Sequence, residues 1–234
     1  MKSGSLPAKA DVKRQRNFYD TTLNPLMDKA REGSEVLLFL DASHFIMGCD
    51  YLGCIYGKAR RFIKTFSGRM RYNVLGAIDF ISKEVVTVTN DTYISATEVC
   101  QLLHKVSAKY AGQSIHIILD NARYQKCKIV QGLATELNID LVYIPPYSPN
   151  LNLIERLWKF VKNELRTKYY EDFTLFCRQI DDIIASTSAD NKGKISRLIG
   201  TKVQLYDDLK QINSNTFVNT KSGSSTFISE NMAA

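Results

Sequence analysis

Short, nearly continuous apolar runs alternate along the chain with longer stretches of helical spacing. Glu35–Asp41 (EVLLFLD), Ser114–Asp120 (SIHIILD) and Ile139–Ile144 (IDLVYI) have the pattern of strands buried on both faces. Arg71–Asp79 and Glu84–Thr89 are β-rich, with a turn at Ile81–Lys83 between them. Ser95–Ala111 places Val99, Leu102, Leu103 and Val106 on one side, and Ser95 with Glu98 three residues on forms a capping box. Cys127–Leu137, Asn152–Lys168 and Phe173–Ala185 read as further helices, and Pro145, Pro146 and Pro149 forbid regular structure before the second of them. In Asn152–Lys168 the residues Ile154, Trp158, Val161 and Leu165 define the buried face. Strand, helix, strand, helix, strand, helix in this order predicts an α/β fold with a mainly parallel core, and the hairpin-like strands add an antiparallel portion.

Residues 1–34 are polar, with a basic cluster at Lys13–Arg16 and an amphipathic stretch at Asn17–Arg31, and read as a linker or leading helix. Residues 35–212 form the domain proper, and residues 213–234, rich in Ser, Thr and Asn, read as a disordered tail. A chain of 234 residues, 44% hydrophobic and 24% charged, accommodates one such domain with appendages and needs no staples for its core. No apolar run approaches the roughly 20 residues of a membrane-spanning helix, so no membrane partner is expected. Met1–Arg16 has no secretory apolar stretch, and five scattered cysteines, an odd number, suit a reducing cytoplasmic compartment.

Charge points to a partner. Thirty-one Lys and Arg against 24 Asp and Glu give a net charge of +7 and a pI near 9.1. From Tyr51 to Ile78 there is no acidic residue, while Lys58, Arg60, Arg61, Lys64, Arg69 and Arg71 are interleaved with Tyr56, Phe62, Phe66 and Tyr72. A basic patch with aromatic residues suits a phosphate backbone. On the Asn152–Lys168 helix, Lys159, Lys162 and Arg166 form a second basic stripe, headed by Glu155.

The acids carry the chemistry. Asp41 and Asp120 each close a buried apolar run, where a carboxylate is costly unless something pairs with it. One such Asp is as readily a turn cap or an arginine partner; two, on strands expected to be neighbours, are better explained by a shared cation. Glu155 follows on the helix, where its plain alternative role is an (i, i+4) pair with Lys159. Three carboxylates without a convergent His or Cys favour Mg²⁺ or Mn²⁺ over zinc. Two such ions in one site would clamp the attacking and leaving oxygens of a phosphoryl transfer. His44, three residues past Asp41, is a candidate to face this site. The segment Gly53–Ala59 is a residue short of a phosphate-binding loop and lacks its Ser or Thr. His44, Cys49 and Cys54 match no common zinc spacing, and no Gly-x-Ser-x-Gly elbow is present.

LFLDASHF, ILDNARYQK and IPPYSPNLNLIERLWKFVK resemble the three catalytic blocks of mariner-superfamily DDE transposases, in their bacterial insertion-sequence branch. Thirty-four residues (121–154) separate Asp120 from Glu155, the spacing that branch shows. The resemblance covers roughly residues 35–185. It implies a ribonuclease-H-like fold, a mixed central sheet with helices on both faces, and Asp41, Asp120 and Glu155 as the metal-binding triad. It implies metal-dependent nicking at transposon ends and attack of the freed 3′-hydroxyl on target DNA. Asn121 matches its block, and Gln125 stands where relatives often carry His. Relatives usually place helix-turn-helix modules before the catalytic domain, so the resemblance also implies such a module encoded upstream, with a homodimer as a candidate assembly and the nucleoid as the place of action. A decayed or domesticated copy that keeps only DNA binding, and a ribonuclease-H-like hydrolase of RNA–DNA hybrids, are the alternatives.

Overall fold

A computed structural model of the chain describes residues 7–48, 68–166, 168–187, 192–200, 203, 205 and 206. The chain opens with helix α1 (Val12–Phe18), a single π turn (Tyr19–Leu23) and helix α2 (Asn24–Arg31). Strands β1 (Val36–Met47), β2 (Met70–Asp79) and β3 (Val85–Asn90) follow. Next come helix α3 (Ala96–Lys109), strand β4 (Ile115–Leu119), helix α4 (Lys128–Glu136) and strand β5 (Ile139–Tyr143). A 3₁₀ turn (Pro149–Leu151) leads to helices α5 (Ile154–Glu164), α6 (Phe173–Ala185) and α7 (Lys192–Ile199). Among these described residues, no helix is long and apolar enough to cross a membrane.

The five strands form one mixed sheet in the order β3-β2-β1-β4-β5. β1 pairs antiparallel with β2, and β2 with β3, whereas β1, β4 and β5 run parallel. The central strands are apolar on both sides because each face of the sheet is covered. One face packs Leu38, Leu40, Ile117 and Leu119 against Val99, Leu102 and Leu103 of α3 and Val130 of α4. The other packs Leu37, Phe39, Phe45 and Ile118 against Leu157, Trp158 and Val161 of α5 and Phe176 and Ile180 of α6. A mixed sheet covered by helices on both faces is the ribonuclease-H-like arrangement that the sequence resemblance implies.

Local chemistry sets the boundaries. Ser95 and Glu98 make the reciprocal capping box that starts α3, with the Ser95 N–H donating to Glu98 at 2.7 Å. Gly33, at φ +76°, turns the chain from α2 into β1, in the left-handed region that glycine enters without a Cβ clash. α5 is shorter than its pattern suggested. It begins at Ile154, because Asn152 is drawn aside to donate to the Leu40 carbonyl at 2.9 Å, and it ends at Glu164, where Leu165 still bonds Val161 and stays in the core. β1 is longer than expected. It runs on past Asp41 to Met47 because β2 pairs with it as far as Met70.

The leading segment is an integral part of the core. Leu23 and Met27 are fully buried and Ala30 nearly so, in the cluster that holds α5 and α6. Met27→Ala should therefore cost about 2–5 kcal/mol, as for other buried large-to-small changes, in urea unfolding of the full chain. A loss below about 0.5 kcal/mol, the range of surface changes, would show that the segment only rests on the domain.

Candidate active site

The site opens where two parallel strands part. β1 and β4 pair from Val36–Ile115 to Phe39–Ile118, after which β4 ends while β1 continues against β2 alone. Asp41 lies just beyond the last parallel pair, and Asp120 directly follows β4. Glu155 stands in the first turn of α5. The three carboxylates line one cleft of about 330 Å³, walled by Asn121, Ala122, Asn152 and the loop from Ile144 to Pro149. A crevice at the carboxyl ends of strands is where α/β sheets bind ligands. Asp41 is thus not strand-terminal as the pattern predicted. What ends there is its parallel neighbour, and that exposes the same edge.

Hydrogen bonds from the surrounding elements hold both aspartates. The Trp158 Nε1–H of α5 donates to Asp41 Oδ2 at 3.1 Å. The Ala122 backbone N–H donates to Asp120 Oδ1 at 2.8 Å. Gln125, fully buried, turns its amide nitrogen toward Asp120 and donates to Oδ1 at 2.6 Å and to the main-chain oxygen at 3.3 Å. Asn121 does not act on the cleft as a free ligand: its amide donates to the Ile144 carbonyl at 2.6 Å and ties the end of β4 to the loop after β5. The proline-rich loop is braced from α1, where buried Gln15 donates to Ser148 Oγ at 2.8 Å and accepts from Asn150 Nδ2 at 3.2 Å.

Electrostatics mark the same place. Burial, then the negative charge of Glu155 and that of Asp120, push Asp41 up to about 7, against the lowering effect of hydrogen bonds from the Ala42 backbone and Trp158. Glu155 is also raised: desolvation leads, Lys162 opposes it, and Asp120 adds to it. Its side chain still reaches solvent. Among the described residues, no group of three or more His, Cys, Asp or Glu side chains stands close enough together to hold a metal ion as they are placed.

Some expected participants lie elsewhere. His44 does not face the site. Successive strand side chains alternate, so Asp41 shares its face with Phe39 and Phe45 under α5, and His44 points to the opposite face, with its Nδ1 2.7 Å from Asn73 Oδ1. Lys159 is exposed on α5, and Lys162 is half-buried with Nζ 5.7 Å from the centre of the Phe45 ring. Arg166 falls in the turn after α5, not on the helical stripe. Lys58, Arg60 and Arg61, with Lys64, Cys49, Cys54 and the Gly53–Ala59 segment, lie outside the described residues. Pattern reading missed Gln15 and the contacts that Gln125 and Trp158 make with the aspartates, since such contacts leave no periodic signal.

Residues 36–176, more than half of the chain and including all three cleft carboxylates, match the family described as DDE superfamily endonuclease. The chain belongs to that family. No curated protein matches the chain. Its fold is similar to the Mos1 transposase paired-end complex with left transposon end, at 13% identity and a TM-score of 0.59, over 87% of this chain and 68% of that one. It is similar to the Mos1 strand transfer complex, at 13% identity and a TM-score of 0.61, over 85% and 62%. It is also similar to the Mos1 mariner paired-end complex with Mn, at 12% identity and a TM-score of 0.58, over 85% and 64%. The chain thus spans just under two thirds of the length of two of these chains and 68% of the other.

The raised carboxylate has a signed consequence for stability. Folded Asp41 holds its proton up to about pH 7, against 3.8 for an ordinary aspartate. The folded state therefore binds more protons between these values, and stability falls as pH rises through that window. In urea unfolding with EDTA present, Asp41→Asn should stabilise the chain more at pH 8 than at pH 5, by on the order of 2 kcal/mol. Equal effects at the two pH values would mean that Asp41 is not held in an unfavourable ionised state.

Proposed function

We propose that this chain is the catalytic domain of a DDE transposase, which nicks DNA at transposon ends and joins the freed 3′-hydroxyl to target DNA with Mg²⁺ or Mn²⁺. One observation carries the reading: Asp41, Asp120 and Glu155 come from β1, the end of β4 and the start of α5 to line a single cleft, all inside the segment that matches the DDE endonuclease family. The donor set fits the metal. It consists of hard carboxylate oxygens without a His or Cys, suited to Mg²⁺ or Mn²⁺, and its mutual repulsion is what a divalent cation would relieve. Two ions per site would activate the attacking water or 3′-hydroxyl and stabilise the leaving oxygen.

The chain's own residues supply the rest. Trp158 holds Asp41 Oδ2, and Ala122 and Gln125 hold Asp120 Oδ1, so both aspartates are fixed at the cleft by neutral donors. Burial and the charge of Glu155 favour the protonated form of Asp41, and a bound divalent ion would favour the carboxylate instead. The Ile144–Pro149 wall, braced by Gln15, shapes the entrance. Lys159, Lys162 and Arg166 on one side, with Lys58, Arg60 and Arg61 from the basic segment, bind phosphates of the DNA. The family resemblance adds a helix-turn-helix module that recognises the transposon ends and a homodimer that brings two ends together.

Asp41→Asn, Asp120→Asn and Glu155→Gln should each abolish metal-dependent nicking of a plasmid carrying the inverted repeats of the native locus, with unchanged circular dichroism. Full nicking by any one of them would refute the triad, and cleavage of RNA–DNA hybrid alone would favour a ribonuclease. Replacing Lys159, Lys162 and Arg166 by Ala should lower the salt slope of DNA binding by about 0.9 for each phosphate that the variant no longer neutralises. An unchanged slope would reduce the stripe to a solvated surface.

A further inference from the structure

A carboxylate that serves a metal needs its plane fixed as well as its position, because the oxygen it presents depends on rotation about one bond. At Asp41 one side chain restrains that rotation, beside the Ala42 backbone N–H. The Trp158 Nε1–H takes Oδ2 at 3.1 Å, so Oδ1 is the oxygen the indole does not hold. Trp158 and Glu155 are three residues apart on α5 and therefore share a helix face. One helix thus delivers the third carboxylate and the group that orients the first.

The indole reaches Asp41 because the sheet makes room for it. Gly76 lies directly opposite Asp41 in the β1–β2 register. A Cβ on Gly76 would stand 2.8 Å from Trp158 Cη2 and 3.1 Å from Cζ2, with Ile154 Cδ1 at 3.4 Å. Such a contact forces the buried ring to move. Phe45 closes the other approach, edge-on, at 6.2 Å between ring centres and 78° between planes. A glycine inside a paired strand is otherwise a liability, and close approach of another group is the usual reason to keep one.

We propose that Trp158 is a positioning residue that selects Asp41 Oδ1 as the oxygen offered to the divalent ion, and that Gly76 is the seat that lets it do so. The inference rests on the metal-binding reading of the cleft. Hydrogen-bond partners behind metal ligands are typically worth about 10–100-fold in metal affinity. The indole N–H is neutral, so it orients the carboxylate without competing for the ion as a cation would.

The test is Mn²⁺ binding to the full chain without DNA, followed by electron paramagnetic resonance, with thermal melts to show that each variant is folded. Trp158→Phe keeps an aromatic ring but removes the N–H, and should weaken Mn²⁺ binding about 10-fold or more. Gly76→Ala keeps the indole but displaces it, and should weaken binding comparably. In the Trp158→Phe background the outer indole ring is gone, so Gly76→Ala should change affinity less than about 2-fold, a non-additivity that a general loss of stability would not produce. Wild-type affinity in Trp158→Phe, or full additivity in the double variant, would overturn the proposal while leaving the metal site standing. If the wild-type chain binds Mn²⁺ no better than Asp41→Asn, the metal reading itself fails.

Discussion

The structure turns on one desolvated carboxylate held beside two others. Asp41 is enclosed by α5 on one side and faced by the charges of Glu155 and Asp120 on the other. A domain that only had to be stable would not keep this arrangement, since an apolar or amide side chain at the same place would remove the penalty. The supporting contacts are consistent with that tension. Neutral donors, the indole of Trp158 and the amide of Gln125, fix each aspartate without cancelling its charge. A lysine or arginine in their positions would offset the carboxylate charge and leave less for a divalent ion to do.

The crevice exists because of a mismatch in strand length. β4 stops at Leu119, while its parallel neighbour β1 runs to Met47 along β2. The unpaired edge beyond Phe39 is where the carboxylates meet and where Asn152 must supply the Leu40 carbonyl with a partner. The elements around it are held from far along the chain. α1 reaches the proline-rich loop through Gln15, and α2 is pinned by Leu23 and Met27 in the core under α5. The cleft wall and the helix that bears Glu155 therefore share support from the first thirty or so residues.

α5 couples these parts. Its apolar face, Ile154, Leu157, Trp158 and Val161, seats it on the sheet, and the same turns carry Glu155 into the cleft and the indole onto Asp41. Small shifts of this helix would move Glu155 and the donor that orients Asp41 together. That gives packing around Gly76, away from the open side of the cleft, a direct bearing on metal-ligand geometry.

By itself, the sequence determined the alternation of strands and helices, the buried face of α5, the capping box before α3 and the three acids with their family resemblance. All of these are local: periodicity, a cap and short motifs are written in neighbouring residues. Tertiary structure decided that Asp41 lies within β1 and not at its end, because strand length depends on what pairs alongside. It decided that His44 faces away from the site, since the continued strand keeps a period of two. It also decided the partners of Asp41 and Asp120. Trp158 looked like one more core residue of an amphipathic helix, and Gly76 like one more strand residue. Only the register that sets Gly76 opposite Asp41, and the helix laid across it, make them neighbours, and no pattern along one dimension encodes a contact between residues so far apart.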